Sequence, residues 1–93
     1  MITLNASLHI PANISFSVVG QDTFLLNTKT NKYFALEDVG ARMWELLKEG
    51  KPMKECVGIL AGEYEATPDQ LERDILELME RLLENGLVEL DTA

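Results

Sequence analysis

The 93-residue sequence predicts an α+β domain in which a three-stranded antiparallel sheet is followed by three helices. Three features carry that prediction. Apolar and polar residues alternate between Ile14 and Leu36, interrupted by two clusters of turn formers, Gly20-Gln21-Asp22 and Asn27 to Asn31. The period changes to that of a helix immediately after Leu36. A third apolar stripe is bracketed by unambiguous start and stop residues, Thr67-Pro68 and Gly86.

Residues 1–12 show no sustained period and end at Pro11, which predicts a loosely held lead-in with a short extended piece at Ile2–Leu4. Ile14, Phe16 and Val18 then face one way while Ser15 and Ser17 face the other, the pattern of a half-buried strand. Thr23 to Leu26 form the second strand and Lys32 to Leu36 the third, giving a meander. In the first helix Val39, Met43, Leu46 and Leu47 make the buried stripe, Trp44 borders it, and Asp38 is placed to cap the first turn. Gly50 ends that helix, and Pro52 fits the first turn of the next. The second helix buries Met53, Cys56, Val57 and Leu60, and Gly58 with Gly62 predict that it is short. The third runs from about Pro68 to Asn85, with Thr67 and Gln70 spaced as a capping box. Its apolar arc of Leu71, Ile75, Leu78, Leu82, Met79, Leu83 and Leu76 is wider than one packing seam needs. Val88 and Leu90 predict a brief extended tail. The order of elements is that of a winged helix-turn-helix.

Length and composition fit one domain over residues 1–93, too small for a deep catalytic cavity. The start has neither a basic n-region nor an apolar h-region, and no eighteen apolar residues run together, which points to the cytoplasm and away from membranes. The net charge of −8 is concentrated: residues 61–93 hold ten of the sixteen acids and only two bases, Arg73 and Arg81. That acidic pole is either a solvated face or an attractor for a basic partner.

Chemistry-bearing motifs are absent. With one cysteine, Cys56, and one histidine, His9, the chain offers no disulfide and no metal cluster. Phosphate loops, HExxH, CxxC and GxSxG are missing, so neither a catalytic role, a cofactor nor a metal is expected. Cys56 reads as a small buried hydrophobe and His9 as an incidental polar residue. DNA recognition requires cations along the phosphates, whereas helix three is dominated by Asp and Glu, and Lys54 of helix two is opposed by Glu55 and Glu63. No nucleic-acid partner is expected, and winged-helix DNA binding is the weaker alternative.

The remaining feature is an open edge. The third strand, Tyr33 to Leu36, leaves an outer row of main-chain donors and acceptors with no partner in the meander. An extended peptide can occupy such an edge as an added strand. The long helix would supply the wall through Leu71, Ile75, Leu78 or Met79, with Asp74 and Glu72 attracting lysines. The same leucines also suit packing over the sheet, in which case groove residues come from the flanks of the helix. A second copy of the chain is a rival occupant, so a homodimer remains open.

The run FLLNTKTNKYFALEDVGARMWELLKEGK, followed by ECVGILAGEYEATPDQLERDILELMERLLENGLVEL, resembles the PqqD-like family, the RiPP recognition elements. The resemblance rests on Gly40, Ala41, Trp44, Leu46, Leu47 and Gly50, then Tyr64, Asp74, Ile75, Asn85, Gly86 and Leu87, in that order over roughly residues 14–90. It implies a non-catalytic domain that binds the leader of a ribosomally made precursor peptide as an extra strand, between strand three and the last helix. It is most similar to the free-standing proteins of lasso-peptide biosynthesis, which deliver the leader to a cysteine protease. Peptide chaperones serving radical SAM enzymes share the outline and stand as the alternative. Residue by residue, the implied groove is Tyr33, Phe34, Ala35 and Leu36 with Leu71, Asp74, Ile75, Leu78 and Met79. A turn glycine common in the family is replaced by Asn31, which also tolerates a left-handed conformation.

Overall fold

The computed structural model describes residues 2–91. Its elements are β1 (Leu8–His9), β2 (Ile14–Val19), β3 (Asp22–Asn27), β4 (Lys32–Leu36), α1 (Val39–Lys48), α2 (Met53–Glu63), α3 (Pro68–Glu84) and β5 (Glu89–Leu90). The predicted α+β fold is present, the meander being β2-β3-β4 with β3 central. Gly20 at φ 65° and Asn31 at φ 57° make the two reversals, so Asn31 does adopt the left-handed turn.

Register fixes the faces of the sheet. Phe16 pairs with Leu25 and Leu25 with Phe34, while Val18 pairs with Thr23 and Thr23 with Leu36. Directly opposed residues share a face, so Phe16, Leu25, Phe34 and Leu36 point toward the helices and Phe24, Leu26, Tyr33 and Ala35 point away. Leu25 and Leu36 are buried against a core built from Met43, Trp44 and Leu46 of α1, Met53, Cys56 and Leu60 of α2, and Leu71, Ile75, Met79 and Leu82 of α3. Each fully buried side chain of this size contributes about 1.5–3 kcal/mol. Trp44, expected at the border of its stripe, is fully enclosed in the core, with the Phe16 ring edge-on to it at 6.5 Å between ring centres.

Several local expectations change. α2 runs eleven residues through Gly58 and Gly62. The roughly 1 kcal/mol that each glycine costs a helix is outweighed by burying four apolar side chains on one face. Pro52 is the residue before the helix rather than inside its first turn. Asp38 occupies the cap of α1 without capping it, because its backbone, at φ 49° and ψ −118°, departs from the extended conformation that aims a cap side chain at the first amides. Thr67 caps α3 as expected, its Oγ1 accepting from the Gln70 amide at 3.2 Å.

The lead-in is not loose. Ile2 is buried and its amide donates to Glu80 Oε1 at 3.3 Å, and β1 pairs with β5 as a second, two-stranded sheet. Leu87 and Val88 are buried just before it, so both chain segments close over the end of the helical layer. His9 sits in this clasp, with Nδ1 against Asp91 Oδ1 and Nε2 3.1 Å from Glu89 Oε1. Arg42 ties α1 to α2, its Nε and Nη2 each 2.9 Å from a Glu63 oxygen. Among the described residues, no helix is long and apolar enough to cross a membrane.

The hydrogen bond to Asp91, followed by that to Glu89, raises the His9 pKa above its ordinary 6.5. The folded state therefore binds the proton more tightly than the unfolded chain. Its contribution to stability is complete below pH 6.5 and is lost as pH rises through the folded pKa. Denaturation midpoints measured across that interval are expected to fall with pH in the native chain and to lose this component in His9→Phe. An identical pH profile in both proteins would show that the clasp is not ionic.

Candidate functional site

β4 is an edge strand, hydrogen-bonded to β3 on one side and, among the described residues, to nothing on the other. It contains no proline, and its only charged residue is Lys32 at its start. The outer row of backbone groups from Lys32 to Leu36 is thus available to a further strand.

α3 flanks that edge and runs antiparallel to it. Leu78 lies at the Leu36 end, where Gly40 separates the two: a Cβ on Gly40 would stand 3.6 Å from Leu78 Cδ2 and 3.7 Å from Leu36 Cδ2. One turn further, the Arg81 guanidinium lies over the Phe34 ring, 5.2 Å from its centre. At the Lys32 end, Asn27, Lys32, Tyr33, Phe34, Asn85 and Leu87 line an open cavity of about 200 Å³. Larger hollows exist between the lead-in and the start of α2, and beside Arg42, but neither touches β4.

Asn27 ties the end of α3 to the sheet. Its side chain points inward from β3 and is buried, with Nδ2 donating to the carbonyl of Asn85 at 3.2 Å and of Gly86 at 3.5 Å. Its Oδ1 accepts from Asn13 Nδ2 and from the Lys29 amide, both at 3.0 Å. One amide group therefore joins the β3-β4 turn, the segment before β2 and the C-terminal end of α3. Gly86, at φ 71°, is required twice: its conformation disfavours a side chain, and a Cβ there would come within 3.1 Å of Asn27 Nδ2.

The expected site residues divide by burial. Tyr33 is 76% exposed and, with Ala35, lies on the outer face; Phe34 is half-buried and Leu36 buried on the inner face. On α3, Asp74 is exposed and Leu78 half-buried, whereas Leu71, Ile75 and Met79 are enclosed in the core and present no side-chain surface at the edge. The flank of α3 nearest β4 carries Asp74, Leu78, Arg81 and Asn85, which fall within a sector of about 60° at roughly 100° per residue. Arg81, Asn85 and Asn27 were not among the residues expected from sequence. Asn27 had a signal, since asparagine is depleted in strands and this one shares the inward parity of Thr23 and Leu25.

The family model for coenzyme PQQ synthesis protein D matches residues 22–88. The chain belongs to the PqqD family. Two solved structures are similar over nearly their whole length. One is TbiB1 in complex with the TbiA(beta) leader peptide, 30% identical, with a TM-score of 0.86 over 91% of this chain and 99% of that one. The other is lasso peptide synthetase B1 complexed with the leader peptide, 29% identical, with a TM-score of 0.82 over 89% and 98%. No curated protein sequence is significantly similar. As a PqqD-family member the chain shares the order of strands and helices that its sequence predicted.

Asn27→Asp retains the shape and the two accepting bonds but replaces the donor to Asn85 and Gly86 with a carboxylate. It is expected to cost about 1–3 kcal/mol in urea denaturation, with Gly86→Ala also destabilising. Native stability in Asn27→Asp would show that the latch does not hold the helix end.

Proposed function

We propose that this chain captures the leader segment of a ribosomally synthesised precursor peptide as a fourth strand on β4, against α3, and presents it to a processing enzyme. The observation that carries this is the unpaired outer row of β4 beside a helix flank, in a chain whose two structural neighbours are both leader-peptide complexes. The role is non-catalytic. Main-chain pairing supplies affinity for any extended segment, and the side chains that alternate toward α3 supply selection. The half-buried Phe34 and Leu78 offer apolar contact there, while Tyr33 and Ala35 flank the guest on the outer face.

The neighbour named a lasso peptide synthetase B1 favours lasso-peptide biosynthesis as the setting, with a cysteine protease that removes the leader as the recipient. Delivery to a radical SAM enzyme is the second reading, favoured by the family description, which names coenzyme PQQ synthesis.

Calorimetry against the leader of the precursor encoded beside this chain tests the role, using Phe34→Pro and Ala35→Pro. Adjacent residues on a strand point their amides to opposite sides, so one of these prolines spares the bonds to β3 and removes a donor from the outer row. That variant is expected to remain folded and to lose measurable binding, whereas Tyr33→Ala retains most of it. A folded proline variant at each position with unchanged affinity would exclude pairing at β4.

A further inference from the structure

We infer that the guest strand carries a carboxylate side chain and that Arg81 is its receptor, so that the groove selects an acidic position despite the strongly negative charge of the domain. The inference rests on the peptide-binding role above and specifies the chemistry of the guest.

The placement of Arg81 is the starting point. Only two bases occur in residues 61–93, and this one is on the flank facing β4. Glu77 and Glu84 stand one turn before and after it, at spacings where a helix commonly forms ion pairs. Yet among the described residues Arg81 makes no salt bridge, and its guanidinium lies over the Phe34 ring instead. Its N–H groups, which make no ion pair, are donors of the kind that take a carboxylate through two parallel hydrogen bonds. Arg81 is exposed, and Phe34 belongs to the strand that the guest would join.

The surroundings give the groove a polarity. Lys32 begins β4 at the Asn85 end, so Arg81 and Lys32 are the two cations beside that half of the edge, with Glu77 and Glu84 on the adjoining exposed side of α3. Asp74 lies two turns back along α3, and Glu37 and Asp38 follow the other end of β4, making that half negative. The step from Asp74 to Arg81 is about 10 Å of helix, or about three residues of strand. A guest side chain facing α3 recurs every second residue. A guest side chain two or four positions from the acid opposite Arg81 would come nearest Asp74, where a base is the complementary charge. Lysines drawn to the acidic helix account for one half of such a guest, and Arg81 accounts for the other.

The experiment is selection of a displayed library of random twelve-residue peptides on the full chain, in parallel with Arg81→Glu, both checked by circular dichroism. The native chain is expected to enrich peptides with Asp or Glu at one fixed position. Arg81→Glu should bind those peptides roughly tenfold more weakly and recover affinity when that acid is changed to Lys. Arg81→Lys should lose less than Arg81→Gln, because the charge is kept and the fork is not. Enriched peptides with no acidic position, or equal affinity for native and Arg81→Glu chains, would overturn the carboxylate receptor while leaving peptide capture intact. Failure of both chains to enrich any peptide would overturn capture itself, and this inference with it.

Discussion

The arrangement depends on one buried amide. A three-stranded meander and a seventeen-residue helix can be stacked at many offsets by apolar contact alone, because burial has no direction. Asn27 restricts that freedom by donating to the carbonyls of Asn85 and Gly86, just past the end of α3, while accepting from the turn and from Asn13. Its hydrogen bonds are directional and buried, so a slip of the helix would leave polar groups unpaired at a cost that apolar contacts do not recover. With the end of α3 fixed there, Leu78 and Arg81 fall opposite Leu36 and Phe34, and the edge of β4 acquires a wall.

That geometry separates two demands on the helix. Leu71, Ile75, Met79 and Leu82 are consumed by the core, so the wide apolar arc is largely the price of holding a small domain together. The flank that faces β4 is narrower and more polar than the arc implied: one leucine, one acid, one arginine and, at the cap, one asparagine. An open edge is normally an aggregation hazard. Here it is short, begins with a lysine and is bordered by charged side chains, features that blunt pairing with other copies.

Much of this was legible in the sequence because it is local. Period-two alternation in β3, Asn31 at a left-handed turn, the Thr67 cap and Gly86 after the last helix each depend on a few neighbouring residues and are found as expected. By contrast β2, expected to be half-buried, is exposed beyond Ile14 because no helix covers its length. The β1-β5 clasp was not legible, since two-residue strands have no period and their partners lie some eighty residues apart. Asp38 has the residue type of a cap but not the backbone conformation, so it leaves the first turn of α1 uncapped. For the edge and its wall, the strand half follows from chain order, but the helix half depends on where α3 lies along β4, which the long-range bonds from Asn27 to Asn85 and Gly86 help to hold. Arg81 was invisible for the same reason: its partner is a ring contributed by a strand forty-seven residues earlier.

The most direct test of the central claim is amide hydrogen exchange along β4, measured residue by residue with and without the leader peptide. The alternate amides of Lys32–Leu36 that point away from β3 are expected to exchange freely in the isolated chain and become protected on binding, with the inward set already slow. Binding that leaves the outward amides as fast as before would contradict strand addition at this edge.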